Sequence, residues 1–377
     1  MNWVRVWAVA RKEFLHVLRD SRSLAMAIAF PTMLLILYGY ALTLDVDRVP
    51  MVVWDQSRSP ASREFLAGFF GSRYFSLRGH IGSYQELERA IDTRQALLAL
   101  VIPSDFARRG ESHRPASVQM IVDGSDSTTA TLAIGYAEAV TQSYSQQIQF
   151  ESVQFLSGRR PDPPLEVRPR VWFNEELQSR NYIIPGLIAI VMMVIAAMLT
   201  SLTVAREWER GTMEQLIATP IQGRELVLGK LLPYFAIAML DVLLAVGMSL
   251  FVFQVPLRGS LALLLAVAAL FQVGALSLGL LISIATKNQL LANQLAMMTT
   301  FLPSFLLSGF VYAIPNMPKA LQLVTYVVPA RYFVSFLKGV YLKGIGLKIL
   351  AGEVLLMGLF AVVMVVLADR WFQKKLE

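Results

Sequence analysis

Residues 206–230, REWERGTMEQLIATPIQGRELVLGK, hold four basic and four acidic side chains, whereas the preceding stretch 181–205 holds none. Dense charge set between apolar runs suits phosphate binding or ionic docking of a partner. A P-loop is excluded. A phosphate-cradling loop needs four residues between two glycines, then Lys and Ser or Thr. The nearest string, GRELVLGKL at 223–231, has five residues between its glycines and Leu231 after Lys230. Docking remains. Thr212 with Gln215 fits a capping box that starts a helix at Met213, and Pro220 ends it near Ala218. A second short helix starts near Arg224. The first would carry Glu207, Glu209, Arg210 and Glu214 on its polar side, with Met213, Leu216 and Ile217 as an apolar patch. A plain connecting loop could be as charged.

Other chemistry is thin. There is no cysteine, hence no disulfide framework or thiolate site. His16, His80 and His113 stand apart, none with a metal-ligand neighbour at helical spacing. No G-x-S-x-G string occurs, and DGSDS at 123–127 reads as a turn after a strand. Two acids interrupt apolar runs. Asp241 falls inside 231–257, and Glu353 lies near one end of 349–368. Intramembrane carboxylates suggest function by default, so a proton-coupled exporter using Asp241 stands as an alternative.

These groups are positioned by long apolar runs. The chain is 55% hydrophobic and 16% charged over 377 residues. Uncharged runs at 23–44, 181–205, 259–286 and 288–318 join the two singly charged ones. About 20 apolar residues cross a bilayer as a helix, so the expected fold is an α-helical membrane protein with six spans. Ala262, Ala266, Ala269, Ala275 and Gly279 place small residues along the fourth for close packing. Residues 2–20 read as an interfacial helix with Trp3, Trp7, Phe14 and Leu18 on one face. The expected division is a cytoplasmic interfacial helix at 1–22, a first span at 23–44, an extracytoplasmic α/β domain at 45–180, and spans two to six in 181–377. Within 45–180, strands are expected at 50–55, 74–81, 96–103 and 116–124, and helices at 62–70, 83–91 and 128–150, giving a mixed sheet. A Pro-rich stretch, 157–170, returns the chain to the membrane, ending in a strand-like EVRPRVWF.

Charge sets orientation. Residues 45–180 hold 15 Lys/Arg and 17 Asp/Glu, a net of −2, leaving +9 elsewhere. That excess flanks the spans and forms no single basic face, which speaks against nucleic acid. Arg5, Arg11, Lys12, Arg19 and Arg22 precede the first span, and Arg370, Lys374 and Lys375 follow the last. The positive-inside rule places both termini and 206–230 in the cytoplasm. One segment objects: 313–348 should be outside, yet carries Lys319, Arg331, Lys338, Lys343 and Lys348 with no acid. Pro315, Pro318 and Pro329 break it into pieces too short to span, which suits a re-entrant hairpin at 313–345. The counter-reading joins them into a seventh span.

The segment VAREWERGTMEQLIATPI closely resembles the intracellular signature of type-2 ABC exporter permeases, E-R-G-T-x-E-x-L. Glu209, Arg210, Gly211, Thr212, Glu214 and Leu216 match it position by position. ARKEFLHVLRDSRSLAMAIAFPTMLLILYGYAL is similar to that family's elbow helix and first span. LLSGFVYAIPNMPKALQLVTYVVPARYFVSFLKGVYLKG is similar to its fifth span and outer gate segment. The insertion after span one resembles the drug-exporter-like subfamily. The resemblance implies a coupling helix at 206–225 seated in a separate ATPase and ATP and Mg bound there, with no cofactor in this chain. It also implies two ATPases per complex, and a second permease copy or homologue. Spans one, two and five would surround the pathway. A periplasmic adaptor, a bacterial inner-membrane location and export of drug-like or lipid-like molecules by alternating access belong to the same expectation. A non-transporting sensor or mechanotransmission subunit is the other class that fits. At the expected outer gate stand Leu306, Phe310 and Tyr312, with Gly309 beside them, then Tyr332 and Phe333. Crowded rings close a pore by dewetting; an interfacial aromatic belt has the same composition.

Overall fold

The computed structural model describes residues 1–19, 21–41, 48–112, 115–157, 172–174 and 178–372. Its contacts divide the chain into two units, Leu44–Pro169 and the combination of Met1–Thr43 with Arg170–Glu377. The inserted unit thus ends earlier than the expected boundary at 180.

The inserted unit is a four-stranded mixed sheet in the order β2-β1-β3-β4. β1 (Val49–Asp55) pairs in parallel with β2 (Phe75–His80) and β3 (Leu98–Ile102), and β3 pairs antiparallel with β4 (Gln119–Val122). Alternation along β1 explains its two covered faces. Val49, Met51 and Val53 pack with α3 (Pro60–Phe70) and α6 (Ser127–Ser157), while Val52 and Trp54 pack with α4 (Tyr84–Asp92). Ser83 caps α4 by accepting from the Glu86 N–H, as S-x-x-E spacing requires. Sequence patterning misses α5 (Phe106–Glu111) and stops α6 short. DGSDS is a turn whose Asp126 accepts from the Thr129 N–H and hydroxyl at the start of α6. The strand-like 166–171 and His113 lie outside the described residues; Trp172 and Phe173 are not in a strand.

The other unit is helical. α1 (Trp3–Arg19) is followed by α2 (Ser21–Ala41), which contains Pro31 and whose side chains are described from Ile28 onward. Among the described residues, five helices are long and apolar enough to cross a bilayer: α7 (Ser179–Glu209), α9 (Gly223–Phe251), α10 (Leu261–Thr286), α11 (Gln289–Leu307) and α14 (Ala351–Trp371). α7 is apolar all round and buried all round, the pattern of a central helix. Close packing on it uses Gly279, where a Cβ would lie 2.2 Å from the Ala197 carbonyl oxygen. Ala262 and Ala266, expected in the same stripe, face outward.

Between α11 and α14 the chain forms α12 (Lys319–Thr325) and α13 (Pro329–Lys338), bent 85° from each other, then a π-helical turn at Gly339–Lys343. This segment leaves and returns at one end of the helical unit. The Tyr182 hydroxyl, near the start of α7, donates to the Phe310 carbonyl just after α11. The Gly259 N–H, before α10, donates to the Val340 carbonyl after α13. α14 then runs to the opposite end, where Asp369 pairs with Arg224 at 3.1 Å and Phe372 covers Gly223.

Candidate functional site

The charged stretch is a tight turn between two apolar helices. α7 does not stop with its apolar run but continues to Glu209. Gly211 then adopts φ +68, a left-handed conformation open to glycine at no steric cost. α8 (Thr212–Ala218) follows, Pro220 separates it from α9, and the Gln222 N–H donates to the Glu225 carboxylate at 3.0 Å. The expected Thr212 cap is absent. Gly211 occupies the cap position, and the Thr212 hydroxyl turns back to Glu207 Oε2 at 2.7 Å.

That bond belongs to a buried ionic hub. Lys230 is 2% exposed, and its Nζ donates to Glu13 Oε1 at 2.6 Å and Glu207 Oε1 at 3.4 Å. Lys12 Nζ reaches the same Glu207 oxygen at 2.8 Å. Four elements therefore meet: α1, the end of α7, α8 and the start of α9. α1 lies against α9 through Val6, Val9, Ala10 and Val17, with Gly229 opposite, where a Cβ would sit 2.7 Å from Val9 Cβ. The Asn2 N–H donates to Glu225, and Arg5 to the Pro220 carbonyl. Trp3, Trp7, Phe14 and Leu18 all stay exposed on the far face.

Glu207 departs from the expected polar side: it ends α7 and is buried, because α1 covers it. Met213, in the expected apolar patch, is taken by an apolar cluster of Val9, Val204, Leu226 and Phe372. Leu216 is half-buried on that cluster, and the Ile217 side chain lies outside the described set. Glu209, Arg210, Gly211 and Glu214 are exposed. Glu209 is tied down, accepting from the Gln289 N–H at 2.8 Å and from its side-chain amide. Lys287 packs over the Trp208 ring at 4.7 Å, so the α10–α11 turn is strapped to the end of α7. One turn deeper, Ser283 Oγ accepts from the Val204 and Ala205 N–H groups at 3.0 and 2.9 Å. Among the described residues, Arg210 and Glu214 make no ion pair.

The five residues of the expected outer gate do not converge in one chain. Phe310 is buried over Gly186, where a Cβ would lie 2.4 Å from its ring. Phe333 stacks on Phe271 at 4.2 Å. Tyr332 is buried with its hydroxyl donating to the Tyr326 carbonyl at 2.7 Å. Leu306 and Tyr312 are exposed. What joins this end together is a pair that sequence reading passed over. Lys338 Nζ lies 3.5 Å above the Tyr182 ring and donates to the Gly309 carbonyl at 3.1 Å, and the Tyr182 hydroxyl donates to the Phe310 carbonyl at 3.0 Å. Gly309 is left-handed, φ +79. Asp241 is 2% exposed, and among the described residues neither carboxylate oxygen has a hydrogen-bond partner.

A central buried helix, surrounded by apolar helices long enough to cross a bilayer, is the build of a helical membrane protein. Residues 22–368 match the ABC-2 family transporter protein family, and the chain belongs to it. The chain is 41% identical over 345 residues to the probable multidrug ABC transporter permease YbhS of Escherichia coli K12, covering 91% of this chain and 90% of that protein. It is 31% identical to the probable multidrug ABC transporter permease YbhR of the same strain, with 92% of each covered. A more distant relative, ABC transporter G family member 20 of Dictyostelium discoideum, is 18% identical over 90% of this chain and 46% of its own length. The chain is accordingly a multi-pass membrane permease of an ABC transporter, a transport subunit and not itself the ATPase.

Proposed function

We propose that this chain exports a hydrophobic or amphipathic, drug-like molecule by alternating access, driven by two separate ATPase subunits that engage α8. Six spans (α2, α7, α9, α10, α11 and α14) fit a cytoplasmic location for both termini and for 206–225, with the inserted α/β unit outside. Two such chains, identical or homologous, would form the pathway in a bacterial inner membrane, with ATP and Mg held by the ATPases and a periplasmic adaptor as a further partner. The observation that carries this reading is the turn itself. Arg210 and Glu214 are exposed while their neighbours Glu207 and Met213 are buried, so a push on α8 meets a braced base. The relatives' names as multidrug permeases support the substrate class.

Glu214→Lys tests it. Opposite charge at an interface selects partners, and like-charge juxtaposition costs several kcal/mol. The variant should insert normally, lose ATPase co-purification and lose transport. Unchanged co-purification and transport would remove Glu214 from the docking surface.

The unpartnered carboxylate of Asp241 favours a second reading, in which proton movement contributes to export. Asp241→Asn would then abolish the dependence of transport on a pH gradient at constant ATP. Transport by the variant with unaltered gradient dependence would assign Asp241 to packing.

A further inference from the structure

The geometry points to a binding site for the phosphate group of an anionic phospholipid on the open face of α13. This helix buries Pro329, Ala330, Tyr332, Phe333, Val334, Phe336 and Leu337. What remains is one stripe: Arg331, Ser335 and Lys338 at i, i+4 and i+7. Both cations are held in place by neutral groups. The Arg331 guanidinium lies 3.9 Å from the Tyr326 ring centroid and donates to the Thr325 hydroxyl. Lys338 has the Tyr182 ring and the Gly309 carbonyl. Among the described residues neither forms an ion pair with a carboxylate, and 313–348 contains no acid.

Rings and carbonyls fix a cation's position without neutralising it. A guanidinium offers five donors and an ammonium three, so most remain free for an anion. Seven helical residues set the two Cα atoms about 10 Å apart along the axis, with the exposed Ser335 hydroxyl between them. Ammonium and guanidinium groups both donate charge-assisted hydrogen bonds to phosphate, and guanidinium suits it especially well. The lipid source follows from the surroundings. α12, bent against α13, exposes Leu321, Leu323 and Val324. An anion on this face must therefore sit where apolar side chains meet acyl chains, at headgroup level. The site accounts for the basic segment that contradicts the positive-inside rule. It rests on the helical unit spanning a membrane and is independent of the ATPase contact.

The test is lipid retention by the detergent-purified full chain, followed by native mass spectrometry during titration with phosphatidylglycerol or phosphatidylcholine. Wild type should retain phosphatidylglycerol preferentially. Near an anionic surface each basic residue contributes enough that Arg331→Gln or Lys338→Gln should weaken retention about 5-fold and the double variant about 30-fold. Ser335→Glu places a carboxylate between the cations at an exposed position, so it should fold normally and lose the preference. Lys287→Gln, at the opposite end of the unit, should retain it. Folded Ser335→Glu protein with wild-type preference would overturn the site. Displacement of phosphatidylglycerol by equimolar inorganic phosphate would transfer the site to a soluble anion and overturn the lipid assignment.

Discussion

The two ends of α7 hold their cations in opposite ways. At the α8 end, Lys230 and Lys12 share Glu207, Glu13 completes the set, and Arg224 pairs with Asp369. At the α13 end, Arg331 and Lys338 lie on tyrosine rings and donate to a hydroxyl or a carbonyl. Burial explains why Lys230 needs carboxylates, whereas Lys12 and Arg224 pair at the surface. Lys230 is nearly inaccessible, and a charge so placed is tolerated only when paired. Lys338 keeps partial contact with its surroundings, and a ring face with one carbonyl suffices. The first arrangement locks elements together; the second leaves charge to spare.

The largest expected effect breaks the contrast directly. Lys230→Met strands Glu13 and Glu207 without their shared cation and should cost about 3–5 kcal/mol, read as a large fall in the apparent melting temperature of solubilised protein. Lys338→Met strands no carboxylate and should cost about 1 kcal/mol. Equal losses would mean that the two ends are held alike. Adding Glu13→Gln to Lys230→Met should recover much of the loss, because Glu207 keeps Lys12 and no buried carboxylate is then left without a cation.

An intermediate effect concerns Phe310. Gly186→Ala drives a methyl group into its ring and should cost about 1–3 kcal/mol. In the background of Phe310→Ala the same change should cost far less, a coupling visible in a double-mutant cycle. Phe310→Ala vesicles should also stay tight to small solutes at rest. A resting leak would return Phe310 to the gate.

The smallest effect lies in the turn. Gly211→Ala puts a Cβ on a left-handed residue and should cost about 1–2 kcal/mol, with ATPase stimulation falling more than stability. Stimulation that merely tracks stability would deny α8 a role separate from folding.

Much of this was legible in the residues. The apolar runs locate the long helices, Pro220 ends α8 near Ala218, and two-residue alternation gives the strands of the inserted unit. The failures share one cause. A seven-residue helix cannot reveal which of its sides a distant helix will cover, and the element covering Glu207 is α1, some 200 positions earlier. One signal was present. Glu13 falls in the apolar stripe of α1 with Val6, Val9, Ala10 and Val17, and an acid there asks for a buried cation. In the sequence Lys230 reads as one of four basic residues of the charged turn and the lysine of an unmatched phosphate loop, and Lys338 as part of a basic segment at odds with the topology. Composition alone also does not show that Phe310 and Phe333 pack within the chain on Gly186 and Phe271.

The Lys230–Glu13 bond spans 217 positions of chain, and this bears on how the protein is made. At about 5–20 residues per second, the ribosome needs roughly ten to forty seconds to travel from one partner to the other. Throughout that interval Glu13 has no Lys230 to meet, and α1 has no α9 to lie against. The face carrying Trp3, Trp7, Phe14 and Leu18 stays exposed before and after that moment, so what the arrival of Lys230 changes is the other face of α1, where Val9 meets Gly229 and Glu13 gains its cation.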